Sequence, residues 1–340
     1  AAAGDASGVP AYPPLARVQR VGLHLSRVPS PAEGGPALPA LDLDLFLAPA
    51  PRRSQDDSAR PIVVYVLDPV PCLFGAIASY VFAQAGYYAH LPAGDADEAA
   101  YRRMHVVGVG HLGVTFALDG DGFDNAMLRD LRRRDFPPRQ HPTHAKERNR
   151  NSHAARLARA LVDEVAPNAE RRLGLSLGPE PRRCILGASY SAVLALQVLL
   201  HRPGAFSDII LGSPSVPFDP ELLDDIVRGD TGIDALPARN PPPLAPAGAT
   251  IICGALERRG DALIANVGGK GMTSIPDMAP HLALALRKRG VDVDGPHEIA
   301  AEDHGTVKMP LVSRGLTWLA SRAREDTTPG GAPQAVSVPQ

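Results

Sequence analysis

Five short aliphatic and β-branched runs constrain the fold of this chain more than any other feature of its sequence. A continuous apolar run is typical of a strand that is buried on both faces. Helical patterns lie between and after these runs, and strands alternating with helices predict a mostly parallel sheet with helices on both faces. The runs cover residues 61–67, 104–109, 183–186, 208–211 and 250–253, and the helical patterns cover residues 73–85, 152–172, 190–201, 220–227, 278–289 and 307–322.

Three further segments extend the predicted sheet to about eight strands. Residues 40–47 alternate cleanly between apolar and polar, residues 16–28 alternate in part, and a Gly-Gly-Pro turn signal lies between them. This pattern predicts an antiparallel pair with one solvated face at the start of the sheet. Residues 291–299 predict the last strand. The predicted fold class is therefore α/β with an antiparallel N-terminal start.

Length and periodicity predict a single domain over residues 15–323. The 340 residues exceed the roughly 250–300 at which one hydrophobic core stops growing, so one large domain with tails fits best. We expect residues 1–14 to be a flexible lead-in and residues 324–340 to be a disordered tail. Residues 110–151 show little periodicity, and a loop of this length is usually functional, so we expect an insert or a substrate-site loop there.

Composition excludes several classes of partner. The net charge of −2 does not indicate a nucleic-acid partner. The most apolar stretch, residues 62–82, is interrupted by Asp68 and two prolines too early to span a membrane. The expected partner is a small molecule, and the oligomeric state stays open.

Three scattered cysteines are too few for a disulfide scaffold or a zinc cage. His141, His144 and His153 have no acidic or cysteine ligand close by, so we expect no metal, and the chemistry predicted below needs no cofactor. The start at Ala1 without Met is as expected after removal of a signal peptide, so we expect a periplasmic or secreted protein, with a cytoplasmic one as the alternative.

The segment Gly187-Ala188-Ser189-Tyr190-Ser191 is the strongest chemical signal in the sequence. It joins an apolar run to a helical pattern, and a strand, a Gly-x-Ser-x-small turn and a helix together are typical of a nucleophile elbow. The turn is so tight that the residues two before and two after the serine must be small, as Gly187 and Ser191 are. We therefore predict that Ser189 is a nucleophile. The alternative is a serine that caps the helix.

A nucleophilic serine needs a base, and the base needs an acid that orients it. Four histidines follow the serine. His201 and His281 lie in helical patterns, and His297 lies within or beside the last predicted strand. His304 follows that strand and precedes the final helix, which is where this architecture places its histidine. We predict that His304 is the base.

The acid and the oxyanion hole are predicted from strand ends. Glu257 follows the run at residues 250–253 and is the predicted acid, and Asp261 is the nearest alternative.

An oxyanion hole needs two backbone N–H groups, one of which should come from Tyr190, the residue after the nucleophile. The other should come from Val70 or Cys72 after the first buried strand, because the prolines on either side of Val70 have no N–H.

Residues 129–150 carry eight basic and three acidic side chains, a local charge of +5 on a chain of net charge −2. Such a segment can concentrate an anionic substrate, and its place after a strand of the sheet favours this interpretation. The alternative is a solvated loop whose charges partly pair with one another.

Several blocks of the sequence resemble the esterase D group of α/β-hydrolases, and within it the enterobactin-type siderophore esterases. The resemblance extends over roughly residues 17–323 and is most specific from the elbow to the Ser-Pro-Ser turn. The blocks are PIVVYVLDP, VVGVG followed by LRRRDFPP, GASYSAVLALQVLLHRPGAFSDIILGSPS, GALE and EDHGTV, in the family's order. The chain departs from the family's usual Gly-His-Ser-Tyr-Gly-Gly at Ala188, Ser191 and Ala192, and it has Pro69 where the family has glycine.

The resemblance implies an α/β-hydrolase fold with Ser189 as nucleophile and His304 as base. The GALE turn resembles the family's acidic turn and so supports Glu257, although some siderophore esterases are described as working with a Ser-His dyad. The RRRDFPP stretch resembles the family's Arg-Asp-aromatic-x-Pro motif, which implies that three residues lie at the edge of the substrate site. They are Arg134, Asp135 and Phe136.

Taken together, these features predict a serine esterase that works through an acyl-serine intermediate. The expected substrate is an anionic siderophore-type ester, such as a ferric enterobactin-like trilactone, because a positively charged segment suits a polyanionic iron complex. Two alternatives are also enzymes of this fold, a general carboxylesterase and an acyltransferase. A third is a non-catalytic binder of iron chelates with the same hydrolase fold.

Overall fold

The computed structural model describes residues 18–25, 41–51, 60–68, 71–87, 96–111, 131, 136, 153–219, 221–229, 243–244, 248–259 and 274–325. Within these ranges eight strands form one sheet in the order β1-β2-β4-β3-β5-β6-β7-β8. The pairs β1–β2 and β2–β4 are antiparallel, and every pair from β4 through β3 to β8 is parallel. The predicted, mostly parallel sheet with an antiparallel start is therefore confirmed. Its strands are β1 (Gln19–Leu25), β2 (Leu41–Ala48), β3 (Ile62–Leu67), β4 (Met104–His111), β5 (Arg182–Ala188), β6 (Asp208–Gly212), β7 (Gly248–Gly254) and β8 (Asp292–Ile299). The expected solvated face of the first pair is wrong for β2, whose residues 43–48 are buried on both faces.

Eight α-helices of the described residues accompany the sheet. The predicted helix over residues 152–172 is two helices joined by one π-helical turn, Leu161–Val165. The seven-residue α2 was not predicted, because it is too short for a clear helical period. The helices are α1 (Pro71–Tyr87), α2 (Ala96–Arg102), α3 (His153–Ala160), α4 (Ala166–Arg172), α5 (Tyr190–His201), α6 (Glu221–Arg228), α7 (Ile275–Lys288) and α8 (Lys308–Glu325). None of these is both long enough and apolar enough to cross a membrane.

The two faces of the sheet bury separate hydrophobic clusters. Side chains along a strand point alternately to opposite faces, and all six residues of β3 are buried. Tyr65 belongs to the cluster that also contains residues of α3, α5, α6 and α7, whereas Val64 belongs to the cluster with α1, α2 and α8. Burial on both faces explains why the central strands read as continuous apolar runs.

The carboxyl ends of the parallel strands lie along one edge of the sheet, and this edge positions the site. The strand β3 pairs with β4 on one side and with β5 on the other, so the strand order reverses there. Ligands of open α/β sheets bind in the crevice at such a reversal. The turns that follow β5, β6, β7 and β8 carry the residues described below.

Candidate active site

Ser189 lies in the sharp turn between β5 and α5. Its backbone has φ 61° and ψ −123°, a strained conformation for a residue with a side chain. Its N–H donates to the carbonyl oxygen of Gly212 at the end of β6 (2.8 Å). The Ser189 hydroxyl makes no capping hydrogen bond to α5, so this side chain does not cap the helix.

The residues on either side of Ser189 show why the turn accepts only small side chains. A Cβ atom at Gly187 would lie 2.3 Å from the carbonyl oxygen of Ser191, closer than real Cβ contacts allow. Ser191 stands where nucleophile elbows usually have a second glycine. Its buried hydroxyl folds back onto the strand, where it donates to the carbonyl of Ala188 (2.7 Å) and accepts from the N–H of the same residue (2.9 Å). The departure from the usual motif therefore leaves the turn intact.

His304 lies in the loop between β8 and α8, and its ring connects the other two predicted residues. Its Nε2 is 3.0 Å from Ser189 Oγ, and its Nδ1 is 3.0 Å from Glu257 Oε2. The structure thus brings Ser189, His304 and Glu257 into one hydrogen-bonded series.

The loop that carries His304 is held by the side chain of Asp303. Its Oδ1 accepts hydrogen bonds from the backbone N–H groups of Gly305 and Thr306, both at 2.8 Å. These two bonds, that of Thr306 first, lower the pKa of Asp303, and the Thr306 hydroxyl lowers it further. Thr306 Oγ1 in turn accepts from the N–H of Asp303 (3.0 Å). Both ends of this turn are therefore tied, which limits how far His304 can move.

Glu257 lies in the 3₁₀ turn Ala255–Arg259 that follows β7, and its side chain is completely buried. Besides facing His304, it accepts on Oε1 from the Ser213 hydroxyl (2.6 Å) and from the Gly254 N–H (2.8 Å). A Cβ atom at Gly254 would lie 2.4 Å from the carbonyl oxygen of Glu302, so glycine allows this turn to reach the histidine loop. Each oxygen of this buried carboxylate therefore has at least one hydrogen-bond partner.

These contacts determine where the protons lie in the resting site. Glu257 faces Nδ1 of His304 with a carboxylate oxygen, which can only accept, so Nδ1 carries the imidazole proton. Nε2 of the neutral ring is then an acceptor, and it receives the hydroxyl proton of Ser189. This arrangement can withdraw a proton from a serine that attacks an electrophilic carbon.

The predicted oxyanion donors lie at the beginnings of two helices. Tyr190 is the first residue of α5, and Cys72 lies in the first turn of α1. The first N–H groups of a helix have no acceptor within it and lie at its positive end. Val70 lies outside the described residues, so the choice between Val70 and Cys72 stays a prediction.

Phe136 is the one predicted substrate-site residue that the structure describes. It is 3% exposed and its ring stacks on His111 at the end of β4, with 5.7 Å between the ring centroids. Arg134, Asp135 and Asp261 lie outside the described residues, as does most of the basic segment at residues 129–150. A role for these residues in binding substrate stays a prediction.

Cys184 and Cys253 do not offer a competing nucleophile. Burial raises the pKa of Cys184 well above its ordinary value, and burial, followed by the charge of Glu257, raises that of Cys253 to about 12. Both thiols therefore stay protonated near neutral pH, and a thiol is a poor nucleophile. Within the described ranges no group of histidine, cysteine, aspartate and glutamate side chains could hold a metal ion.

Sequence reasoning missed two serines in the turn that follows β6. Ser213 donates to Glu257, and Ser215 Oγ lies 3.1 Å from Ser189 Oγ. The signal was present in the Ser-Pro-Ser segment directly after a predicted strand. Because β6 pairs with β5, the turn that ends β6 lies beside the turn that ends β5.

Comparison with known proteins gives the fold but no family by sequence. No protein-family model matches the chain, and no curated protein matches its sequence. The siderophore hydrolase EstA from Aspergillus nidulans has a similar structure (TM-score 0.61, 17% identity, 93% of this chain and 98% of that one). An IroE-like serine hydrolase from Shewanella oneidensis is also similar (TM-score 0.55, 16% identity, 89% of this chain and 80% of that one). So is the enterobactin and salmochelin hydrolase IroE (TM-score 0.50, 14% identity, 89% of this chain and 96% of that one). The α/β-hydrolase fold is therefore confirmed, and the structural likeness to siderophore esterases that the sequence blocks predicted is found.

Proposed function

We propose that this protein is a serine carboxylic-ester hydrolase that works through an acyl-serine intermediate. One observation carries the proposal. A buried carboxylate, an imidazole and a strained serine form a continuous series with two 3.0 Å contacts, Glu257 to His304 and His304 to Ser189. The series lies at the carboxyl edge of the parallel sheet, where this fold binds its ligands.

In the proposed reaction, Ser189 Oγ attacks the ester carbonyl carbon while His304 Nε2 takes the hydroxyl proton. Glu257 holds the ring in the required tautomer and stabilises the imidazolium that forms. The N–H groups of Tyr190 and of Val70 or Cys72 stabilise the negative charge on the carbonyl oxygen. His304 then gives the proton to the leaving alcohol, and a water activated by the same nitrogen releases the acid from the acyl-serine.

The proposed substrate is an anionic siderophore-type ester, such as a ferric enterobactin-like trilactone. Two observations support this choice. Solved structures with a similar fold are described as siderophore hydrolases. The segment at residues 129–150 has a local charge of +5, which would attract a polyanionic iron complex. Arg134, Asp135 and Phe136 are proposed to border the substrate.

The first test is intact-mass labelling with a fluorophosphonate, which reacts with an activated serine. We expect one adduct on the wild type and none on Ser189→Ala. Ser313→Ala is the matched control, because its hydroxyl donates to carbonyls of its own helix and, among the described residues, to nothing in the series, and it should label like the wild type. An unlabelled wild type would refute the hydrolase proposal and favour a non-catalytic binder.

A hydrolysis screen then tests the substrate class. Ferric triscatecholate trilactones should be hydrolysed with a higher kcat/KM than simple aryl esters of similar reactivity. A preference for the aryl esters would indicate a general carboxylesterase. Diversion of the acyl group to added alcohols, in preference to water, would indicate an acyltransferase.

A further inference from the structure

The turn that follows β6 supplies one hydroxyl to each end of the proposed catalytic series. Ser213 Oγ donates to Glu257 Oε1 (2.6 Å), and Ser215 Oγ lies 3.1 Å from Ser189 Oγ. Ser215 is buried, with 2% of its surface exposed to solvent. Its hydroxyl therefore acts at the nucleophile without competition from bulk water.

The backbone of this turn is held on both sides. The N–H of Ser213 donates to the carbonyl oxygen of Ile252 in β7 (2.7 Å), and that of Ser215 donates to the carbonyl oxygen of Ser189 (3.3 Å). Ser213 has a left-handed φ of 40°, and Pro214 restricts the next φ. A turn fixed in this way keeps the two hydroxyls in place while the reaction proceeds.

The direction of the bond between the two serine hydroxyls follows from the rest of the series. Glu257 commits the proton of His304 to Nδ1, so Nε2 must accept, and the single hydroxyl proton of Ser189 is used in that bond. Ser189 Oγ can therefore only accept from Ser215. Ser215 donates its proton to the lone pair of the attacking oxygen.

We propose that Ser215 is a further catalytic residue, which stabilises negative charge on Ser189 Oγ; this inference rests on the proposed function. During acylation the Ser189 proton moves to His304 Nε2 as the Oγ–carbon bond forms, and charge builds on Oγ before that bond is complete. During deacylation the same bond breaks, and Oγ carries the charge until His304 returns the proton. Ser215 keeps its own proton throughout. A hydrogen bond to a charged oxygen is stronger than one to a neutral hydroxyl, so the bond accelerates both steps.

The test uses Ser215→Ala and Ser215→Thr in the full chain with an aryl ester, whose burst phase reports acylation and whose steady state reports deacylation. We expect Ser215→Ala to slow both rates by about 10- to 100-fold, the range for one charge-assisted hydrogen bond. The rate of fluorophosphonate labelling should fall by a similar factor. Ser215→Thr keeps the hydroxyl and should recover a large part of each rate. Thr250→Val removes a buried hydroxyl from β7, outside the series, and should leave all three rates unchanged.

The outcomes separate this inference from the proposed function. A labelled, active wild type together with a Ser215→Ala variant that keeps more than half of both rates would refute the role of Ser215 alone. A slow Ser215→Ala variant that unfolds at a lower temperature and is not recovered by threonine would also refute it, because the role would then be structural. An unlabelled wild type would instead refute the proposed function.

Discussion

Replacement of Glu257 by glutamine tests the proton arrangement of the site more sharply than any other single change. Glutamine keeps the shape of the buried side chain but has one oxygen and one NH₂ group. The glutamine oxygen must take the place of Glu257 Oε1, which accepts from the Ser213 hydroxyl and from the backbone N–H of Gly254. The NH₂ group then faces Nδ1 of His304, which already carries a proton.

Two arrangements can relieve this conflict, and their energies decide between them. Turning the amide over would leave the buried Gly254 N–H without an acceptor, which costs about 1–3 kcal/mol. Moving the imidazole proton to Nε2 keeps one donor and one acceptor at each contact of the His304 ring, since Nδ1 then accepts from the amide and Nε2 donates to Ser189 Oγ. The second arrangement therefore dominates, and in it His304 cannot accept the proton of Ser189.

The expected loss in kcat for Glu257→Gln follows from two factors. The tautomer preference of about 1–3 kcal/mol costs about 5- to 150-fold. The missing carboxylate charge beside the imidazolium costs a further factor of about 10 to 100. Together they give roughly 10³-fold, somewhat below the about 10⁴-fold loss for the corresponding aspartate-to-asparagine change in a serine protease triad.

The assay is kcat on a soluble aryl ester for the wild type, Glu257→Gln and Glu257→Ala, with thermal unfolding as the check on folding. Alanine leaves the imidazole free to choose its tautomer, so glutamine should be no more active than alanine despite its better fit. A glutamine variant that keeps more than about a tenth of the wild-type kcat would refute the reasoning. The site would then be a Ser189–His304 dyad.

Two further predictions concern the elbow and acid stability. Gly187→Ala should abolish fluorophosphonate labelling, because its Cβ would lie 2.3 Å from the Ser191 carbonyl oxygen; Gly75→Ala, in an open position of α1, should leave labelling intact and raise stability by about 0.4–1 kcal/mol. Burial lowers the pKa of His201 from 6.5 to about 4, so the folded state favours the neutral ring. Its contribution to stability is fully present above pH 6.5 and is lost as the pH falls towards 4, by about 3 kcal/mol in all. Urea midpoints at pH 7 and pH 5 should therefore differ less for His201→Leu than for the wild type, and equal differences would contradict the assignment.

The strands and the elbow were predictable because their signals are local. A strand buried on both faces, such as β3, is apolar at every position, and this is visible in six consecutive residues. The steric demand of the elbow concerns only residues within two positions of Ser189. The helix α2 was not predicted, because its seven residues make too few turns for a helical period to show in the sequence. The substrate-site and domain predictions stay predictions.

The α/β class, the place of the elbow and the order of Ser189, Glu257 and His304 along the chain could all be inferred from the sequence alone. The contacts that these residues make depend on the tertiary structure. Ser189 and His304 are 115 positions apart, Ser213 and Glu257 are 44 apart, and Ser189 and Ser215 are 26 apart. Such contacts depend on which strands are neighbours in the sheet, and this order is set by the packing of helices on both faces. Hydrophobic periodicity carries no record of that packing, so Ser213 and Ser215 became visible only when β6 was placed between β5 and β7.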